Sequence, residues 1–218
     1  MPTGLTAGGL EFVHGLGGPA GAALVLAVAI EPRIWRMSLV QRIKDDPEIV
    51  DLLVHPFDFD LERPYWVGED ETLRSGQRKE AIAGAASGDG YFFCGEGGEE
   101  RPVLYLSSDG MTSLVAENLA DLLTLVVVAP WWLSCLSHWR GGVEGMQAIS
   151  EECRAEFIED TPDFTESQRR VASGLGLDLT SDVMARLLSA ARRTDPEFIL
   201  VHSEGHELEP LVPAAVSE

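Results

Sequence analysis

Few residues of this chain form patterns typical of catalysis or metal binding. The clearest of these patterns is a histidine near two carboxylates. The segment HPFDFD places His55 close to Asp58 and Asp60. An imidazole with two carboxylates suits general acid–base catalysis or metal binding. The alternation of Phe57 and Phe59 with the two aspartates is also typical of a half-buried strand. We interpret the segment as a packed strand, and a hydrolase that uses His55, Asp58 and Asp60 is the remote alternative.

Two further histidine pairings are weaker. His202 and His206 are four residues apart, a spacing that on a helix would put both rings on one face, where they could bind zinc. Gly205 and the flanking strand pattern indicate a hairpin instead, so the two rings need not converge. Cys135 and His138 lie in WWLSCLSHW, where three tryptophans favour core packing over a thiol–imidazole pair. The sequence therefore predicts no enzyme, no catalytic residue, no cofactor and no metal.

The acidic residues are more informative. The chain has 36 Asp and Glu against 16 Lys and Arg, a net charge of −20, which repels nucleic acid and attracts basic partners. Two acidic clusters stand out, and the second surrounds a Gly97-Gly98 turn. They are Glu69, Asp70 and Glu71, and Glu96, Glu99 and Glu100. We predict that these six carboxylates bind a basic protein, because unpaired carboxylates on a protruding turn accept Arg or Lys. A solvated surface that only confers solubility is the alternative.

Three simpler features bear on location. The apolar run at residues 22–30 has nine residues, fewer than the roughly 20 that span a bilayer. No Lys or Arg precedes Arg33, so the charged start of a signal peptide is missing. Three cysteines without C-x-x-C spacing indicate reduced thiols. We expect a cytoplasmic protein that binds neither membrane nor nucleic acid, and the sequence does not indicate its oligomeric state.

The elements that must position these residues are clearest between residues 81 and 128. Strand patterns at 91–95, 103–106 and 114–116 are joined by Gly-Gly and Asp-Gly turns. Asn118 is placed to cap a helix at 119–128, which must be buried because it is apolar almost all round. Hairpin-linked strands followed by a helix predict an antiparallel sheet with helices packed on one face.

Helical patterns flank this central unit. Upstream we predict helices at residues 19–30 and 35–43, and another that begins at Asp46-Pro47. Downstream the predicted helices begin near Met146, at a Thr165–Gln168 capping box and at Asp182. A final hairpin is expected over residues 198–212. The prediction is an α+β fold with a core at 1–141 and a helical C-terminal extension at 142–218, packed together as one domain.

The central segment resembles the SUKH superfamily, which includes fungal Smi/Knr-type cell-wall regulators and bacterial immunity proteins that neutralise toxins. The similarity lies in a Gly-Asp pair before a strand, a hairpin, and an acidic residue before an apolar helix. The matching stretches are Gly88-Asp89-Gly90-Tyr91-Phe92, Arg101-Pro102-Val103-Leu104-Tyr105 and Val115-Ala116-Glu117-Asn118-Leu119-Ala120-Asp121-Leu122-Leu123. Most of it falls within residues 81–128, under a quarter of the chain.

The resemblance implies a protein that works by binding and has no catalytic residues. Together with the charge, it predicts a toxin-immunity protein that neutralises a basic effector through an acidic surface. A scaffold or regulator of the same fold, without a toxin partner, is the alternative.

Overall fold

The computed structural model describes residues 37–63 and 70–214. The predicted helix at 19–30 and the acidic residue Glu69 lie outside these ranges. The described residues from Ser38 onward form one compact unit by their contacts. Its elements in chain order are α1 (Leu39–Lys44), α2 (Pro47–Val54), β1 (Glu71–Leu73), β2 (Lys79–Gly84), β3 (Gly90–Cys94), β4 (Val103–Leu106), β5 (Thr112–Ala116), α3 (Leu119–Val128), α4 (Trp132–Leu136), α5 (Gly142–Asp160), α6 (Phe164–Leu175), α7 (Val183–Ala191), α8 (Thr194–Glu197) and β6 (Leu200–His202).

The centre of the unit is an antiparallel sheet of four strands in the order β2-β3-β4-β5. Tyr91 faces Tyr105 and Phe92 faces Leu104 across β3 and β4, so consecutive residues point to opposite faces. β3, β4 and β5 are buried along their whole lengths. Both faces of the sheet are therefore covered, and the predicted α+β class with an antiparallel sheet is confirmed.

Helices cover the first face of the sheet. An aromatic row runs from Phe59 through Tyr91 and Tyr105 to Trp132, with ring centroids 5.5, 5.7 and 4.9 Å apart. α3 lies in this layer and is almost wholly buried. It starts as predicted, because the Asn118 side chain accepts the N–H of Asp121 at 2.9 Å.

A second, two-stranded sheet covers the other face. β1 pairs antiparallel with β6, in a register that joins Leu73 to Leu200 and Glu71 to His202. Leu73 and Leu200 pack with Leu104 in one buried cluster. The predicted hairpin at 198–212 is present in part, since Val201 bridges to Glu207 after a tight turn, but the main partner of β6 is β1.

The outer edge of β5 is closed by residues from the end of the described chain. The Leu114 N–H donates to the Thr194 hydroxyl at 2.8 Å, and the Thr112 N–H donates to the Glu209 carbonyl at 3.0 Å. The Leu211 N–H donates to the Thr112 carbonyl at 2.8 Å. An open strand edge invites pairing with another chain. Here the helical extension and the final segment satisfy that edge.

Two local predictions are wrong. HPFDFD is not a strand: Phe57 and Phe59 are buried, but Asp58 has a φ of 50° and the segment turns on itself. The Thr165–Gln168 capping box does not form either, because α6 begins at Phe164. The Gln168 amide is used elsewhere and donates to the Val127 carbonyl at 2.8 Å.

Candidate functional site

The carboxylate of Glu99, a predicted partner-binding residue, is engaged within the fold. It accepts the backbone N–H of Leu39 at 2.7 Å and of Val40 at 2.8 Å, the first two residues of α1. The first N–H groups of a helix have no partner within the helix. A carboxylate placed there satisfies them, and its negative charge is also stabilised by the positive N-terminal end of the helix dipole. The carbonyl of Glu99 accepts the N–H of Leu119 at 2.8 Å, where α3 begins. Glu99 therefore completes the starts of two helices.

The other two carboxylates of the Gly-Gly hairpin differ from each other. Glu100 accepts the N–H of Gly98 at 2.9 Å, and this bond holds the pKa of the Glu100 carboxyl below its usual value. Glu96 projects into solvent with 82% of its side chain exposed, and its carboxylate lies 4.0 Å from the guanidinium of Arg78. Of the three, Glu96 alone is accessible without disturbing the hairpin or α1.

The first acidic cluster lies beside the second sheet. Asp70 is exposed, whereas Glu71 is half-buried in β1, opposite His202. The negative charge of Glu71 acts on the ammonium of Lys79, whose pKa is nevertheless lowered because burial of that group outweighs it. Glu71 is therefore part of the sheet, and Asp70 is the accessible carboxylate.

A larger acidic surface lies on α5, outside the two acidic clusters that the sequence predicts as binding residues. Six carboxylates are exposed along this helix, and in the described ranges none lies within 4.0 Å of a basic side chain. They are Glu144, Glu151, Glu152, Glu156, Glu159 and Asp160. Arg154 is the one basic residue of the helix. The signal was present in the sequence, as acidic residues repeated along one helical face.

Exposed apolar side chains mark a groove at the end of the sheet. Among the described residues, Met37, Met111 and Leu133 are the large apolar side chains with more than a third of their surface exposed. Met111 and Leu133 line the same groove, which has a volume of about 500 Å³. It lies between the β4–β5 turn, α4 and the segment near Pro210. No sequence signal marks either side chain, because an exposed Met or Leu looks the same in a sequence as a buried one.

The rim of this groove carries charge of both signs. Asp109 and Glu209 line it on the side of the β4–β5 turn and the final segment, and Arg140 lines it next to Trp139. All three charged residues are exposed. The groove is therefore an apolar trough with two carboxylates and one guanidinium at its edge, and it has room for one or two side chains of another molecule.

The cluster proposed for an enzyme does not converge as a catalytic group. His55 is exposed where α2 ends. The Asp58 carboxylate accepts the Ala86 N–H at 2.6 Å, and the Asp60 carboxylate accepts the Glu62 N–H at 2.9 Å. Both aspartates thus stabilise turns. Cys135 and His138 do not form an activated pair either, because burial raises the pKa of the Cys135 thiol to about 11.

His202 and His206 do converge, contrary to the expectation for a hairpin. Their ring centroids are 4.8 Å apart and the rings stack at 26°. Glu204 completes a group whose potential ligand atoms all lie within 4.8 Å of one another. In the described ranges, this is the one group of three or more His, Cys, Asp or Glu residues with metal-binding geometry.

Comparisons of this chain with family models, with curated proteins and with solved structures found no match. Within the described residues, no helix combines the length and the apolar character that crossing a bilayer requires.

Proposed function

We propose that this chain is a non-enzymatic cytoplasmic binding protein that captures a basic protein partner, with the groove at Met111 and Leu133 as the point of contact. The observation that carries the proposal is the placement of these two exposed apolar side chains in one groove with Asp109 and Glu209 at its rim. Apolar surface that a fold leaves exposed beside polar groups is typical of a protein-binding site.

The apolar side chains would supply affinity. Protein interfaces gain most of their binding free energy from a few large side chains at the centre, which pack into pockets and exclude water. Leu133 is 39% exposed and Met111 is 37% exposed, so each retains apolar area that a partner can cover. A bound apolar side chain would lie between them, against Trp139 and Leu136.

The charge would select a basic partner. The net charge of −20 and the unpaired carboxylates of α5 produce a negative field that accelerates encounter with a cationic protein. Asp109 and Glu209 then offer carboxylates for Lys or Arg beside the apolar anchor. Arg140 would disfavour basic groups on its own side, which gives the partner one orientation.

The resemblance of residues 81–128 to the SUKH superfamily supports a binding role and suggests which one. Immunity proteins of that superfamily neutralise toxins by binding them. A toxin that acts on nucleic acid carries a cationic surface, for which an acidic protein is the complement. We therefore propose a toxin-immunity role, with a scaffold or regulator of the same fold as the second candidate.

The test is calorimetry with the purified product of the neighbouring gene, at about 50 and about 300 mM salt. Leu133→Lys places a charged side chain in the groove. Ser134→Lys is the matched control, because Ser134 is exposed on the same helix but does not line the groove. We expect tight binding by the wild type and by Ser134→Lys. Leu133→Lys should bind about tenfold more weakly or worse, and every affinity should fall at high salt.

A second experiment separates the two candidates. If the neighbouring product does not bind, the immunity role is wrong and the scaffold is tested with a library of random displayed peptides. Peptides that carry Lys or Arg around an apolar residue, and that lose affinity for Leu133→Lys, would support a basic ligand in the groove. Selected peptides that are neutral or acidic, or that bind both variants equally, would refute it.

A further inference from the structure

Three side chains able to bind a metal meet on the turn that follows β6. His202, Glu204 and His206 lie within HSEGH and offer two imidazoles and one carboxylate. Their potential ligand atoms are within 4.8 Å of one another. His202 is half-buried at the end of β6, and the other two are exposed. This cluster is separate from the groove and plays no part in the binding function proposed above.

The backbone explains why the rings meet. The His202 N–H donates to the His206 carbonyl at 2.9 Å, so the two residues face each other across the turn at 203–205. Gly205 has a φ of 88°, a conformation that few residues other than glycine adopt readily. Residues directly opposite in an antiparallel pair carry their side chains on the same face. Two histidines four residues apart in the sequence therefore meet across a three-residue turn, just as they would on one face of a helix.

We propose that His202, Glu204 and His206 bind a zinc ion. Two imidazole nitrogens and one carboxylate oxygen form a donor set that zinc uses in proteins, with water in the fourth tetrahedral position. Calcium and magnesium prefer oxygen ligands, so two imidazoles select against them. The net charge of −20 also favours the approach of a cation.

The geometry needs only a small adjustment. Zinc–ligand distances of about 2.0–2.1 Å place tetrahedral ligand atoms about 3.3 Å apart. The present separations reach up to 4.8 Å, so the side chains must close by about 1.5 Å at most. Glu204 and His206 are exposed, and the ring of His206 contacts that of His202 by stacking. The Nδ1 atom of His202 accepts the Glu204 N–H at 3.2 Å, a long hydrogen bond at an exposed turn that the ring would exchange for the metal.

Zinc at this place would stabilise the second sheet. The two histidines lie on opposite strands of the hairpin, so one ion would join both strands. β6 in turn pairs with β1, with Glu71 opposite His202. Because a ligand that binds the folded state alone shifts unfolding by mass action, zinc should raise the melting temperature.

The test uses the tag-free full chain, since an added histidine tag would itself bind zinc. Calorimetry with zinc chloride measures stoichiometry and Kd, and magnesium chloride is the metal control. The variants are His206→Gln and Glu204→Gln, both at exposed positions. His138→Gln is the matched control. His138 is also exposed, but it follows α4 and is not one of the three proposed ligands. Circular dichroism verifies that each variant is folded.

We expect one zinc per chain, a higher melting temperature with zinc, and unchanged binding by His138→Gln. His206→Gln should bind about tenfold more weakly or worse, because it leaves two protein ligands. Cobalt in place of zinc should give tetrahedral visible absorption without a thiolate charge-transfer band. Zinc binding that is absent at about 1 mM, that is unchanged in His206→Gln, or that shows a thiolate band would overturn the proposal.

Discussion

Replacing Glu99 with alanine should destabilise the protein although its charge sits in a surface hairpin. The carboxylate accepts two N–H groups at the start of α1, at 2.7 and 2.8 Å. The Ser38 hydroxyl accepts the next one, from Gln41, at 3.1 Å. Loss of a helix N-cap side chain costs about 0.5–2 kcal/mol. Because Glu99 is half-buried and charged and satisfies two donors, we expect Glu99→Ala to lower the free energy of unfolding by about 2 kcal/mol.

That free energy corresponds to a measurable shift. For a domain of this size, 2 kcal/mol lowers the melting temperature by about 4–8 °C. Urea unfolding followed by circular dichroism gives the free energy directly, and hydrogen exchange at the amides of Leu39 and Val40 locates the effect. Glu96→Ala is the control, because that side chain is 82% exposed and should leave the unfolding midpoint unchanged. If Glu99→Ala unfolds like Glu96→Ala, the assignment of Glu99 as a cap is wrong.

Two further predictions concern Asp89, which is buried, and Gly174, which lies against the buried side chain of Ile49. Asp89 accepts hydrogen bonds from Tyr105, Ser87 and the Ser108 N–H at 2.6–2.8 Å, so Asp89→Ala should cost about 3 kcal/mol in chemical unfolding. These bonds hold the pKa of Asp89 below its usual value although burial opposes them. The ionised Asp89 carboxylate therefore stabilises the fold fully above about pH 4, and this stabilisation falls as the pH drops further. The free energy of unfolding should decrease more in the wild type than in Asp89→Asn between about pH 4.5 and 2.5. An equal decrease in both would contradict this. Gly174→Ala should destabilise by about 1 kcal/mol, because its Cβ would lie 2.3 Å from the buried Cδ1 of Ile49. Gly145→Ala, with only ordinary contacts, should stabilise by about 0.5–1 kcal/mol, and equal effects of the two in urea unfolding would refute the packing argument.

The parts of the fold that follow local rules could be predicted from the sequence. β4 spans Val103–Leu106 and α3 spans Leu119–Val128, both as expected. Their signals are tight turns, a cap and a continuous apolar run, all of which act between near neighbours in the chain. The same holds for α2, where the Asp46 carboxylate accepts the Ile49 N–H.

The contacts that joined distant residues could not be predicted. β1 is three residues long, and it pairs with β6 about 130 positions later. The strand pattern near β6 predicts a local hairpin and does not indicate this distant partner. The role of Glu99 is hidden for the same reason, because its helix lies 60 residues away. HPFDFD has the alternation of a strand, but Asp60 accepts the nearby Glu62 N–H, which favours a turn. Asp58 accepts the N–H of Ala86, 28 residues away, which no local pattern indicates.

The cluster of His202, Glu204 and His206 illustrates a different limit of prediction from sequence. Both the spacing of His202 and His206 and the turn at Gly205 are evident in the sequence, but the spacing alone indicates convergence only on a helix. A hairpin with three turn residues aligns positions i and i+4 on one face. The groove at Met111 and Leu133 could not be predicted from any local pattern, because it forms only when the β4–β5 turn and α4 meet.

The bonds of Glu99 also set a condition on biosynthesis. A ribosome adds about 5–20 residues per second, so the carboxylate that completes α1 emerges roughly 3–12 s after the helix itself. During that interval the amides of Leu39 and Val40 have only water as a hydrogen-bond acceptor. Fragments that stop short of position 99 should therefore leave this segment unfolded, and chaperones or proteases would meet it in that form.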